Sequence, residues 1–156
     1  MKRLVLILFF ALYASVSFAL DSKDPDVRDC SVLLIFADLW NSTPLNQVEG
    51  AAWIVRTTDG SFQPVHWQYN PDRRAQHWSG NLPENLAAQV HTHPDRVDPK
   101  PSAEDKLVAQ KMSIPLYTVS RNGVWKASPN GEITQEKGSG WFKDAAKSCG
   151  KLADKR

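Results

Sequence analysis

Hydrophobic residues recur at helical spacing in two segments near the ends of the chain. In Val27–Trp40 the apolar positions repeat every three to four residues, which predicts a helix facing a core. A buried strand over Ser31–Phe36 is the competing prediction for the same segment. Gly138–Cys149 is predicted as a closing helix, followed by a frayed tail at 151–156.

Apolar positions between these segments follow the shorter period of strands. Asn46–Thr57 is predicted as a strand that returns through Ser61–Tyr69, because Asp59-Gly60 is a strong hairpin-turn signal. Pro64 lies within the returning strand, and proline cannot donate to a sheet ladder. The returning strand is therefore predicted at an edge or a bulge.

The second half of the chain combines strands with one short helix. The predicted elements are a strand at Leu86–His93, an irregular proline-rich loop at 94–101, a helix at Ser102–Met112, a hairpin of Ile114–Arg121 with Gly123–Ala127, and a short strand at Gly131–Thr134. Ser102 is the predicted N-cap, and Asn122-Gly123 is the turn signal of the hairpin. This order of elements predicts an α/β (α+β) domain with a single mixed β-sheet flanked by helices.

Asn70–Asn85 is rich in proline, asparagine, arginine and glycine and is predicted as a long loop. Tyr69, His77 and Trp78 lie in or beside it. These aromatic residues either line a substrate groove or cover the core from the surface, and the sequence leaves both interpretations open.

The N-terminus has the three parts of a secretory signal peptide. Lys2 and Arg3 are basic, Leu4–Phe18 is apolar, and Ser17 and Ala19 are the small residues of a cleavage site. The apolar run is shorter than the roughly 20 residues that span a bilayer, which argues against the competing membrane anchor. We predict a signal peptide at 1–19 and an exported domain at 20–156, periplasmic or secreted, without a stable membrane anchor after cleavage.

Charge and cysteine content restrict the partners of this exported domain. Removing Lys2 and Arg3 from 19 basic residues leaves 17, which equals the number of acidic residues. A neutral domain without a basic block argues against nucleic acid as a partner. Cys30 and Cys149 both follow the cleavage site and are predicted to form an intramolecular disulfide. Two separate thiols are the alternative.

Two histidines and a carboxylate form a candidate metal site. His91 and His93 lie two apart on a predicted strand, so their side chains point to the same face. Asp105 falls on the apolar face of the predicted helix, where a carboxylate needs a partner. Catalytic zinc takes three such ligands and keeps one position for water, so Zn²⁺ is the predicted cofactor. Glu104 is the weaker third ligand, and Ser102-x-x-Asp105 is also a capping-box pattern.

Glu49, His91-Thr92-His93-Pro94 and Ser102-x-x-Asp105 occur in an order that resembles the JAMM (JAB/MPN+) metallopeptidase motif. The resemblance covers about residues 46–129 and points to a bacterial exported member of the family. The loop at 94–101 is one residue longer than is usual in the family. Strict counting from His93 would select Glu104, whereas the serine and the helix face select Asp105.

The resemblance implies a fold, an activity and a role for each motif residue. The fold would have the cytidine-deaminase-like/JAMM architecture. Zinc would be held by His91, His93 and Asp105, Glu49 would act as general base and then acid, and Ser102 would stabilise the oxyanion. The expected reaction is hydrolysis of a peptide or isopeptide bond in a protein or peptide substrate, with cell-wall peptide as one candidate. A catalytically inactive JAMM-like binding or secretion-accessory module is the alternative.

Overall fold

The fold is described from a computed structural model, in which residues 24–43, 48–69 and 76–153 can be placed. The predicted signal peptide at 1–19 lies outside these described residues. In chain order the elements are α1 (Cys30–Ser42), β1 (Ala51–Arg56), β2 (Phe62–His66), β3 (Leu86–Thr92), α2 (Ala103–Met112), β4 (Leu116–Ser120), β5 (Gly123–Ala127), β6 (Ile133–Lys137) and α3 (Trp141–Ala153).

The strands form one mixed sheet in the order β2-β1-β3-β4-β5-β6. β3 and β4 are parallel, with α2 between them in the chain, and the other neighbours are antiparallel. This arrangement confirms the predicted α/β class and the single mixed sheet with helices.

The first helix is present and the competing strand at Ser31–Phe36 is wrong. Asp29 begins α1 as its N-cap, because its carboxylate accepts a hydrogen bond from Ser31 N. The side chains that face the sheet include Phe36 and Trp40, which are buried. The helical spacing of the apolar residues therefore reflects a face that packs on the core.

Several boundaries differ from the predictions, including both ends of α1, β2 and β4 and the start of α3. β1 begins at Ala51 rather than at Asn46, and residues 46–47 lie outside the described part. β6 covers Ile133–Lys137 instead of 131–134. The predicted frayed tail is wrong at 151–153, because α3 continues to Ala153. Residues 154–156 are not described.

Both predicted hairpins are confirmed. Gly60 adopts a positive φ of 85° in the first turn, and β2 lies at the edge of the sheet, where Pro64 is tolerated. The second turn lies at Arg121-Asn122, one position earlier than predicted, since Gly123 already pairs with Ser120. A Cβ at Gly123 would lie 2.3 Å from a backbone oxygen of β6, so glycine is required at this close approach.

The two faces of the sheet have different roles. One face packs against α1 and α3 in the main core, which includes Ile54, Val90, Tyr117 and Trp141. The opposite face carries the alternate residues of the same strands and is partly covered by α2, which packs through Ala109. The part of this second face that α2 leaves uncovered is where the candidate site lies.

The predicted disulfide between Cys30 and Cys149 is present and joins α1 to α3 across 119 positions of sequence. We expect Cys30→Ala/Cys149→Ala to lower the free energy of unfolding by about 3–5 kcal/mol, because the unfolded chain loses a long covalent loop. Urea denaturation measures this difference. Reduced wild-type protein should unfold at the same urea concentration as the double variant, and an unchanged midpoint would contradict the expectation.

Within the described segments, no helix is both long and apolar enough to cross a membrane.

Candidate metal centre

His91 and His93 bring their ring nitrogens together at the end of β3. Both residues are buried, and their Nε2 atoms lie 2.9 Å apart. The backbone stays paired with β4 one residue beyond the strand, because His93 N donates to Val119 O at 2.8 Å. The strand alternation therefore continues through His93, which places both imidazoles on the second face as predicted.

Asp105 approaches the histidines from the first turn of α2. Its Oδ1 lies 3.7 Å from His91 Nε2. Its Oδ2 accepts hydrogen bonds from Ser102 N at 2.7 Å and from Ser102 Oγ at 2.8 Å. The predicted capping box is thus present, and it anchors one carboxylate oxygen while the other faces His91.

The three donor atoms have the chemistry and spacing of a metal site. The ligand atoms of His91, His93 and Asp105 all lie within 4.8 Å of one another. Tetrahedral zinc ligands at about 2.0–2.1 Å from the ion lie about 3.3 Å from each other. The observed separations of 2.9 and 3.7 Å fall on either side of that value. The donor set therefore fits a metal ion, and Asp105, not Glu104, completes it among the described residues.

A backbone carbonyl in the proline-rich loop orients His93. Asp98 O lies 2.6 Å from His93 Nδ1, where the ring N–H donates to it and leaves Nε2 as the free lone pair. Thr118 Oγ1 holds the same loop by donating to Pro99 O at 2.7 Å. The sequence prediction missed this hydrogen bond, because every residue has a backbone carbonyl and the residue type does not show which one will accept it.

Burial keeps His91 in the neutral form that binds metal. The pKa of His91 is lowered to about 4, mainly by desolvation; the charge of Asp105 raises it, and the neighbouring His93 adds to the lowering. At neutral pH the imidazole is therefore uncharged, so a metal ion does not have to compete with the second proton of an imidazolium.

Glu49 lies beside these residues at the wall of one cavity. The cavity has a volume of about 520 Å³ and is lined by Glu49 together with His91, His93 and Asp105. Burial raises the pKa of Glu49 to about 7, and the charge of Asp105 contributes in the same direction. Glu49 therefore lines the same cavity as the three donor residues, and its catalytic role stays a prediction.

Thr92 joins the Glu49 segment to the histidine strand. Gly50 N donates to Thr92 Oγ1 at 2.8 Å, and Thr92 N donates to Gly50 O at 2.8 Å. Because Thr92 lies between the two histidines, its side chain points to the opposite face and does not enter the site. Its role in positioning Glu49 was not predicted.

Ser102 is close to the site, but its hydroxyl is engaged by Asp105. It donates to Oδ2 and accepts from Asp105 N at 3.1 Å. The N-cap prediction is confirmed. The oxyanion role stays a prediction, because it requires the hydroxyl to turn away from Asp105.

Aromatic side chains form another part of the cavity wall. Trp53 and Trp67 have ring centroids 4.8 Å apart, and Trp78 lies 6.1 Å from each of them. His77 and Trp78 line the cavity as the groove interpretation requires, whereas Tyr69 lines a neighbouring cavity. Trp78 also covers Trp53, so this residue both lines the cavity and shields a buried side chain. The groove interpretation and the core-covering interpretation therefore hold for Trp78 together. The sequence prediction missed Trp53 and Trp67, although Trp53 is on the same strand face as Glu49.

The fold and the site together define a mixed α/β protein with a two-histidine, one-aspartate cluster on the open face of its sheet. Comparison of the chain with protein-family models, with curated proteins and with solved structures finds no match in any of the three. The JAMM-like interpretation therefore depends on the motif residues and on the way the fold groups them.

The raised pKa of Glu49 predicts how the free energy of unfolding of the metal-free protein depends on pH. The pKa rises from 4.5 in the unfolded chain to about 7 in the fold, so between these values the folded state binds more protons. Stability then falls as the pH rises through this range, by at most about 3 kcal/mol and by about 1–2 kcal/mol after solvent screening of a partly exposed group. Glu49→Gln removes this loss.

Urea unfolding with a chelator at pH 5.0 and 7.5 measures the effect. The stability of Glu49→Gln relative to wild type should rise by about 1–2 kcal/mol between the two pH values. Glu104→Gln is the matched control, because Glu104 lines the same cavity but is exposed. If the free energies of unfolding of wild type and Glu49→Gln changed with pH by the same amount, burial would not raise the pKa of Glu49.

Proposed function

We propose that this protein is an exported zinc-dependent metallopeptidase that hydrolyses a peptide or isopeptide bond. The observation that carries the proposal is the grouping, in one cavity, of three metal-donor residues with a fourth residue able to move a proton. His91, His93 and Asp105 are the donors, and Glu49 is the carboxylate beside them. The resemblance of these residues to the JAMM motif supports the same conclusion.

Glu49 is the proton carrier of the proposed reaction. The chemistry that bound zinc supplies is Lewis acidity, which makes water a nucleophile near neutral pH. Glu49 accepts the proton of the attacking water as the new C–O bond forms, and it passes that proton to the nitrogen as the C–N bond breaks. A carboxylate with a pKa of about 7 in the metal-free fold exchanges protons readily in both directions at neutral pH.

The neighbours of the ligands hold them in position for this chemistry. Asp98 O fixes the tautomer of His93, and Ser102 fixes the orientation of Asp105. Such outer contacts keep donor atoms aimed at a metal ion and reduce the reorganisation needed on binding. Ser102 stabilises the oxyanion if its hydroxyl rotates from Asp105 Oδ2 toward the substrate during the reaction.

The proposed location follows from the disulfide and the proposed signal peptide. The Cys30–Cys149 bond is compatible with an oxidising compartment. The substrate is therefore a protein or peptide of the periplasm or the cell exterior, including cell-wall peptide.

Elemental analysis followed by a peptide-library digest tests the proposal. We expect purified protein to contain about one zinc per chain and to cleave library peptides, with cleavage lost on chelation and restored by zinc. Hydrolysis that survives complete removal of metal would overturn the zinc mechanism. Bound zinc without hydrolysis of any peptide or isopeptide would favour the binding or secretion-accessory module.

A further inference from the structure

Gln89 and Trp53 extend the candidate site along the sheet. The pairing of β1 with β3 sets Ala51 opposite His91 and Trp53 opposite Gln89. Gln89 is thus the next residue on the same strand face as His91, about 6–7 Å along β3. Both Gln89 and Trp53 line the cavity that contains the metal-donor cluster.

The side-chain oxygen of Gln89 has no hydrogen-bond partner among the described residues. Gln89 is 7% exposed, and its Oε1 is buried without a hydrogen bond. Four buried side-chain atoms in the described residues lack a partner, and three of them belong to residues of this cavity: Trp53, Trp67 and Gln89. Each unpaired buried polar group costs stability. The grouping of three such atoms beside the candidate metal ligands therefore indicates that a bound ligand supplies their hydrogen-bond partners.

The rim of the cavity carries two exposed apolar side chains beside the exposed polar residues His77 and Glu104. Leu82 is 57% exposed and Val97 is 46% exposed, and both line it. Exposed apolar side chains at the rim of a cavity offer a contact for an apolar group of a bound ligand. Trp78 lies behind this rim and packs against Trp53.

We propose that these residues form a substrate subsite, and this inference rests on the proposed peptidase function. The amide of Gln89 pairs with a backbone amide of the bound peptide, one or two residues from the scissile bond. A bulky apolar side chain of that peptide lies against Trp78, Leu82 and Val97. We call this group the Gln89 subsite.

The chemistry selects a peptide over a carbohydrate as the occupant. A peptide amide has one donor and one acceptor, and rotation of the terminal Gln89 amide presents either its oxygen or its nitrogen to match them. The distance of about 6–7 Å from His91 corresponds to about two residues of extended chain. Trp53, the indole opposite Gln89, offers no open face for stacking on a sugar ring, because it is 3% exposed and is packed edge-on against Trp78.

Binding of three small probes tests the subsite apart from catalysis. The protein is zinc-loaded Glu49→Gln, in which the probes are not hydrolysed. The probes are N-acetylphenylalanine methylamide, its methyl ester, which lacks the C-terminal N–H, and N-acetylglycine methylamide, which lacks the side chain. We expect the methylamide to bind about 3–10-fold more tightly than the ester, and the glycine probe to bind at least about 10-fold more weakly.

Gln89→Leu and a matched control separate the hydrogen bond from packing. Gln89→Leu should abolish the preference for the amide over the ester, and it should raise the melting temperature by about 3 °C because an unpaired polar group is removed. The higher melting temperature also establishes that the variant folds. Trp125→Phe removes the unpaired indole N–H that lies outside the cavity and should leave all three affinities unchanged.

The outcomes distinguish failure of the subsite from failure of the proposed function. The subsite would be overturned if the methylamide and the methyl ester bound equally well to the protein that retains Gln89. It would also be overturned if Gln89→Leu weakened the binding of both probes by the same factor. Either result would count against the subsite even if the enzyme hydrolyses peptides. If the probes show the expected preferences but the protein with Glu49 intact hydrolyses no peptide, the subsite is supported and the peptidase function is rejected.

Discussion

Replacing Glu49 with glutamine should lower kcat/KM for peptide hydrolysis by about 10²–10⁴-fold and leave the zinc content unchanged. Glutamine has nearly the same shape as glutamate, so the cavity is preserved, but it cannot accept or deliver the proton of the attacking water. Glu49 is not a member of the donor cluster of His91, His93 and Asp105, so the metal should remain bound. Steady-state kinetics on a peptide cleaved by wild type, together with elemental analysis, measure both effects.

The same cavity offers a control for this experiment. Glu104 also lines the cavity but is exposed at the first turn of α2, and Glu104→Gln should retain activity within a few-fold. If Glu49→Gln hydrolyses peptides at the wild-type rate, the carboxylate has no part in proton transfer and the proposed mechanism is wrong. Loss of zinc in this variant would instead make Glu49 a ligand.

Removing both histidines should abolish stoichiometric zinc binding and with it all hydrolysis. His91→Ala/His93→Ala leaves Asp105 as the single donor of the cluster, and one carboxylate does not hold zinc in competition with water. Zinc at about 1,000 times its dissociation constant should stabilise wild type by about 4 kcal/mol, and this gain should vanish in the double variant. Thermal unfolding with and without zinc measures the difference.

His77→Ala is the matched control, since His77 lines the same cavity but is exposed and outside the donor cluster. It should keep the zinc content and the zinc-dependent stabilisation of wild type. Asp105→Asn provides a second variant that conserves shape while removing the anionic ligand, in case the double histidine variant does not fold. A zinc-dependent stabilisation that persists in both ligand variants would place the metal elsewhere.

Local signals in the sequence were sufficient for most elements and for the shape of the motif. The hairpin at Gly60, the N-cap at Ser102 and the strand that carries His91 and His93 depend on residues within a few positions of each other. A strand period of two aims both histidines at one point regardless of the rest of the fold. The capping preference of serine likewise begins α2 three residues before Asp105.

The contacts that the sequence did not predict involve residues far apart in the chain or backbone atoms that every residue has. The hydrogen bond from Gly50 N to Thr92 Oγ1 joins residues 42 positions apart. The carbonyl of Asp98 orients His93 through an atom that every residue has. Gln89 looks like an ordinary polar residue of a strand, and its unpaired state is visible only when both neighbouring strands are in place.

The sequence by itself determined the pattern of faces: which residues share a side of a strand or helix, where the turns lie, and that His91, His93 and Asp105 have metal-binding chemistry. Only the tertiary structure decided that β1 pairs with β3 in the register that sets Ala51 opposite His91, which brings Glu49 to the cluster. It also decided between Asp105 and Glu104 and placed the tryptophans beside the ligands. The physical reason is that periodicity and capping act over a few residues, whereas strand order and register depend on pairing between segments far apart in the chain.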